Sequence, residues 1–210
     1  MKEILVFADW IGLPSTLKVG TLRSEESKGE EVFSFEYDDV WLSGGYAQVI
    51  DPDLRLFGGP QYLNDDKPNF GLFLDSSPDR WGRMLMERRE SITARRTSQP
   101  KRRLLESDFL LGVNDETRMG ALRFKLEESG HFLSDNEEIK VPPFTRIREM
   151  EQASLRLEDD NFFKDKEAIK WLMMLMAPGS SLGGARPKAS VRDPNGQLWI
   201  AKFPSKNDSK

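Results

Sequence analysis

The chain has 210 residues, 38% of them hydrophobic and 31% charged, which is the composition of a folded globular protein with one good core or two small ones. Its 31 basic and 35 acidic residues give a net charge of −4, so the chain as a whole has no bias toward nucleic acid, and any such contact has to be local. The absence of cysteine excludes disulfides, thiolate metal sites and a thiol nucleophile, and a single histidine, His131, excludes a histidine metal cluster or a histidine-based triad.

No apolar run reaches membrane-spanning length, and Met1-Lys-Glu-Ile lacks a secretory apolar region, which points to the cytoplasm. Residues 3–10, rich in Ile, Val, Phe and Trp, predict a first strand, residues 19–22 a short second and residues 31–37 a third. Together they predict an antiparallel meander with one buried face. Asp38 and Asp39 read as the cap of a helical turn holding Val40, Trp41 and Leu42. Glycines at 44–45 and 58–59 punctuate an irregular connection. Ser77 as N-cap, with Pro78 at the first helical position, predicts a helix to about Ala94 with Trp81, Met84 and Leu85 as its apolar stripe. Asp75 and Asp79 read as helix-start residues that complement the dipole, not as a catalytic pair.

Arg95, Arg96, Lys101, Arg102 and Arg103 form the concentrated basic patch of the chain. A solvated loop and a phosphate contact both fit it, while the lack of interleaved aromatics argues against a single-strand stacking platform. Residues 107–112 predict a short helix and residues 119–126 a strand, with a turn at 127–130 leading back to 131–133. His131 sits beside that turn and reads as an exposed loop residue. Pro142-Pro143 marks a linker, and residues 145–157 and 165–176 predict two helices, the second stopped by Pro178-Gly179.

Gly179, Ser180, Ser181, Gly183, Gly184 and Ala185 form a run with almost no side-chain bulk. Such a run bends sharply and brings backbone N–H groups close to an anion. Lys188 then opens a strand through Val191, Asp193-Pro-Asn-Gly196 is a turn, and residues 197–203 alternate as a second strand carrying Lys202. A lysine on a strand beside a glycine-rich loop is how protein kinases hold nucleotide phosphates. The spacing is not that of a Walker A loop, because Ala185 rather than lysine follows Gly184. On the residues alone, a nucleotide loop and a mobile loop before a hairpin both remain open.

The segment Ser181-Leu-Gly-Gly-Ala-Arg-Pro-Lys188, followed by Trp199-Ile-Ala-Lys-Phe-Pro204, resembles the HipA family of toxin–antitoxin serine/threonine kinases. Asn69-Phe-Gly-Leu-Phe-Leu-Asp-Ser-Ser-Pro-Asp-Arg80 resembles the same family, as does Asp108-Phe-Leu-Leu-Gly-Val113 with Arg118-Met-Gly-Ala-Leu122, in the same order. The resemblance implies an α+β fold, with a β-rich N-terminal module over residues 1–125 packed with a kinase-like small lobe from residue 126 to 210. It implies ATP contacts at Ser181, Gly183, Gly184, Ala185, Lys188 and Lys202, with Lys202 as the phosphate lysine and Lys188 as a second cation. Ser181 matches a serine that family kinases phosphorylate on themselves, with Ser180 as the second candidate. A phosphate there adds about −1.5 to −2 charge and should expel the loop from an anion site. ATP and Mg²⁺ are the cofactors implied for the intact kinase, with weak or no binding expected of this stretch alone. The implied partner is a HipB-like helix-turn-helix antitoxin, with operator DNA reached through it and the 95–103 patch near its phosphates; no membrane is implied.

Arg186-Pro187 departs from the family loop, adding a positive charge and stiffening the chain before Lys188. In the family the catalytic aspartate and the metal ligands lie in a helical C-terminal lobe downstream of the position of Lys202. The stretch to Lys210 is therefore expected to be the N-terminal part of such a kinase, with no catalytic residue or metal ligand of its own and inactive alone. The alternative is a non-catalytic interaction module or decayed toxin fragment that binds a cognate antitoxin or a partner kinase. A third reading is a globular domain with no nucleotide role.

Overall fold

The computed structural model describes residues 1–27, 29–63, 67–133, 141–159, 162, 167–179, 184–206 and 208. The fold is α+β. Packing divides the chain into two units, one made of Met1–Ser77, Leu105–Leu111 and Met119–Ser134, the other of Pro78–Leu104, Gly112–Arg118 and Asp135–Lys210.

The first unit is built on an antiparallel sheet of β1 (Lys2–Ala8), β2 (Leu17–Ser27), β3 (Glu30–Tyr37), β4 (Gln61–Tyr62) and β5 (Leu122–Lys125), in the order β4-β3-β2-β1-β5. Alternation selects its inner face: Ile4, Val6 and Ala8 of β1, Leu22 of β2, Phe35 and Tyr37 of β3, and Leu122 and Phe124 of β5 are all buried. Phe35 packs edge-on against Tyr37 at 5.0 Å between ring centroids and at a 47° tilt against Phe73 at 5.5 Å. Such ring pairs stabilise a core beyond the area they bury.

Strand β2 runs five residues past the expected end at Leu22, and those residues pair with Glu30–Ser34 of β3. This extension is polar, held by Arg23 between Glu3 at 2.9 Å and Glu36 at 2.6 Å, so apolar periodicity carries no trace of it. The register slips between Val6 and Phe7, whose partners are Gly20 and Lys18. Gly20 is required there, because a Cβ would lie 2.2 Å from the carbonyl oxygen of Glu36.

Around the sheet lie three short helices. In α1 (Asp39–Ser43) the Asp38 carboxylate accepts from the Val40 N–H, as the sequence predicts. In α2 (Gly71–Asp75), read from sequence only as an apolar run, Asp51 Oδ2 accepts from the Leu72 N–H at 2.7 Å. A later short helix, Glu106–Leu111, turns its Leu110 into the core, and Glu31 accepts from the Ser107 N–H at 2.8 Å. Residues 131–133 do not form the expected return strand, although the Leu133 N–H donates to the Phe124 carbonyl at 2.9 Å.

In the second unit the longest helix, α3 (Arg80–Arg96), starts at Asp79 rather than Ser77. The Asp79 Oδ1 accepts from the Gly82 N–H at 2.8 Å, whereas the Ser77 hydroxyl donates to the Phe73 carbonyl at 2.8 Å. Trp81, Gly82, Leu85, Met86, Ile92 and Ala94 are the buried residues, and Met84, expected in the stripe, is only half-buried. Numbering the 106–111 helix α4, the unit continues with α5 (Ile147–Leu157), α6 (Ala168–Gly179), β6 (Lys188–Arg192) and β7 (Leu198–Lys202). Helix α6 packs against α3, α5 and β6 through a face that includes the buried Leu172, Leu175 and Met176. It reaches Gly179, three residues beyond the predicted end. Helix α3 therefore groups with the later residues, where a linear division at residue 125 assigned it to the strands.

Strands β6 and β7 form a separate antiparallel hairpin. Its turn is the expected one: Asp193 Oδ1 accepts from the N–H groups of Asn195 and Gln197 at 2.9 Å, and Gly196 takes φ +83°. Among the described residues, no helix is long and apolar enough to cross a membrane.

Candidate phosphate-binding hairpin

The hairpin places two lysines directly opposite each other, Lys188 on β6 and Lys202 on β7. The bonds Phe203 N–H to Pro187 O and Asp193 N–H to Gln197 O fix the ladder so that this pair is not itself hydrogen-bonded. Both side chains then share one face with Cβ atoms about 4.5–5.5 Å apart, where like charges repel.

The two are not equivalent. Lys188 is 3% exposed, and its Nζ lies 3.0 Å from Asp79 Oδ2 and 2.8 Å from the Gly184 carbonyl oxygen. Its backbone carbonyl accepts from Trp81 Nε1 at 3.1 Å. Lys202 is exposed. Asp79 thus neutralises the buried member of the pair, and the local excess of positive charge falls on Lys202. Lys188, expected as a second cation for nucleotide phosphates, bonds the Gly184 carbonyl at the end of the glycine-rich run.

At that end Gly184 takes φ +97°, and a Cβ there would meet Lys188 Nζ at 3.4 Å. Gly184 and Ala185 are exposed, while Ser180, Ser181 and Gly183 lie outside the described residues. Arg186, expected to add charge to the loop, has its partners among later residues. Its Nε donates to the Phe203 carbonyl at 3.3 Å, and its guanidinium pairs with the Asp208 carboxylate. The Ser205 N–H, seconded by Arg186, holds that carboxyl below its usual range. Pro187 keeps the bond from the Phe203 N–H to its carbonyl but has no N–H to return, and the Phe203 carbonyl accepts from Arg186 Nε instead.

Beside Ala185 and Arg186 opens a cleft of about 530 Å³, floored by Trp81 and Met84 and rimmed by Arg80 and Arg88 of α3. The Arg88 guanidinium stacks on the Phe162 ring at 4.3 Å. Within the lining, Arg186 pairs with Asp208 and Glu158 accepts from the Ser205 hydroxyl at 2.8 Å.

The basic patch lies apart in sequence and has an ordinary role in part. Arg95 and Arg96 occupy the last turn of α3, where cations oppose the helix dipole. Lys101, Arg102 and Arg103 follow in exposed, irregular chain, with the Arg102 N–H donating to Glu90 at 3.2 Å. His131 is exposed, as the sequence suggests. Among the described residues no three His, Cys, Asp or Glu side chains converge on a point where a metal ion would sit.

Sequence reasoning missed Asp79 and Trp81 as parts of this site. The one available signal was the strand itself: a lysine beginning the buried run Lys188-Ala-Ser-Val requires an acid somewhere, and spacing does not say which. No protein-family model matches the chain, and no curated protein matches it.

Proposed function

We propose that this chain is the phosphate-binding part of a HipA-like serine/threonine kinase toxin acting in the cytoplasm. One observation carries the reading: an exposed lysine, Lys202, stands beside an anchored and neutralised one, Lys188, at the exit of a glycine-rich loop. In this reading ATP lays its phosphates against Lys202 and the backbone of residues 181–185, and Ser181 is the autophosphorylated residue. In this reading the catalytic aspartate and the Mg²⁺ ligands are supplied by a helical lobe, as the resemblance implies. The β-rich unit meets a helix-turn-helix antitoxin, and residues 95–103 approach operator phosphates through that complex.

Leu198, Trp199 and Ile200 of β7 are each about half-exposed or more, with no strand on their outer side among the described residues. Apolar residues on an open edge support packing by another polypeptide segment. The same edge favours a second reading, a non-catalytic module that docks on an antitoxin or a partner kinase.

Equilibrium dialysis of ATP with Mg²⁺ against the wild type and Lys202→Met separates them. Saturable binding that Lys202→Met loses supports the kinase reading. Wild type that shows no saturation at millimolar ATP overturns it and leaves the docking module.

A further inference from the structure

We infer that Asp79 is a positioning residue of the phosphate-binding hairpin, acting on Gly184 through Lys188; the inference rests on the reading of that hairpin as a phosphate site. The Asp79 carboxylate has two tasks on its two oxygens. Oδ1 accepts from the Gly82 N–H and caps α3, and Oδ2 holds Lys188 Nζ. The same ammonium donates to the Gly184 carbonyl, so a chain of three contacts runs from the first turn of a 17-residue helix to the last glycine of the loop. The Lys188 and Asp79 side chains are 4% and 12% exposed, which removes most of the solvent screening that makes surface pairs weak. Trp81, two residues on, grips the backbone of the same lysine through its indole N–H. Pro78-Asp-Arg-Trp-Gly82 thus acts on one target from two sides, the side chain and the main chain of Lys188.

Fixing Gly184 matters because its φ of +97° is one that an untethered glycine leaves readily for other conformations. Holding the carbonyl of Gly184 fixes that residue, one of the expected ATP contacts, before any ligand arrives. Preorganisation of that kind raises affinity by lowering the ordering cost of binding. The sign of the effect is diagnostic. Were Asp79 only a counter-charge near the site, removing it would strengthen anion binding, because it is negative. As a positioning residue its removal weakens binding.

The test is a double-mutant cycle of Asp79→Asn, Lys188→Met and the double variant, with circular dichroism to verify folding. Asparagine caps helices as well as aspartate does, so α3 keeps its start while the ion pair is lost. Two quantities are read: the acylation rate of each lysine by an amine reagent, resolved by mass spectrometry, and the ATP–Mg²⁺ dissociation constant. In the wild type Lys202 is expected to react and Lys188 to resist. In Asp79→Asn the Lys188 rate rises about tenfold or more, ATP binds about tenfold more weakly, and Asp79→Asn adds nothing once Lys188 is Met. Lys188 remaining equally resistant in Asp79→Asn, or ATP binding as well or more tightly, overturns the proposal. Should the wild type bind no ATP, the kinase reading fails, while the Lys188 acylation rate still decides whether Asp79 holds the lysine.

Discussion

Lys188 and Asp79 are 109 residues apart in the chain, yet their charged groups meet at 3.0 Å with both side chains largely out of water. Removing one partner of a buried pair leaves the other uncompensated, at a cost of about 3–5 kcal/mol. Asp79→Ala removes both partner and cap and should lower the unfolding free energy of this unit by about 3 kcal/mol or more. Asp79→Asn keeps the cap and should cost about 1 kcal/mol less. Urea denaturation measures the difference, and equal losses for the two variants would contradict the cap.

Two buried tryptophans give a second, paired prediction. Trp81 is 2% exposed and its Nε1 donates to the Lys188 carbonyl, whereas Trp41 is 3% exposed and its Nε1 has no hydrogen-bond partner among the described residues. Trp81→Phe leaves a buried carbonyl unsatisfied and should cost about 1–3 kcal/mol beyond the loss of packing. Trp41→Phe should lack that added cost. Denaturation of both variants, followed unit by unit through hydrogen exchange, would test the contrast.

Close backbone approach at Gly20 sets up a third. A Cβ at Gly20 would lie 2.2 Å from Glu36 O and 2.7 Å from the Phe35 ring, whereas one at Gly45 would have nothing within 4 Å. Gly20→Ala should destabilise the sheet by at least about 1–3 kcal/mol, the usual range for overpacking, and more if the bulge cannot yield. Gly45→Ala should be close to neutral by the same thermal melt.

Much of this architecture is legible in the sequence, for physical reasons that also mark the limit. The alternation Ile4, Val6, Ala8 and the Asp193–Gly196 turn are local signals, and the strands and hairpin they specify are present. The polar end of β2 is set by cross-strand charge pairing with β3, which no periodicity within β2 encodes. The start of α3 turned on Asp79 competing successfully with Ser77, whose hydroxyl bonds back to the Phe73 carbonyl instead. At the candidate site, the lysines and glycines were legible as types, but the unequal fates of Lys188 and Lys202 follow from burial against α3. Long-range pairing of that kind lies outside any spacing rule.

The open edge of β7 yields a fourth expectation. With Phe203 and Gln197 bonded toward β6, the backbone groups of Leu198, Ile200 and Lys202 point outward. Ile200 is 54% exposed, so Ile200→Lys should leave the denaturation midpoint unchanged within about 0.5 kcal/mol while reducing concentration-dependent light scattering. Unchanged scattering would mean that this edge does not drive association.

The central claim is that Lys202 is the cation that meets nucleotide phosphates, and competitive amine labelling with and without ATP–Mg²⁺ tests it most directly. The account predicts that ATP slows acylation of Lys202 selectively, while Lys188 stays unreactive throughout and exposed lysines such as Lys101 label at an unchanged rate. Equal labelling of Lys202 with and without saturating ATP would contradict it.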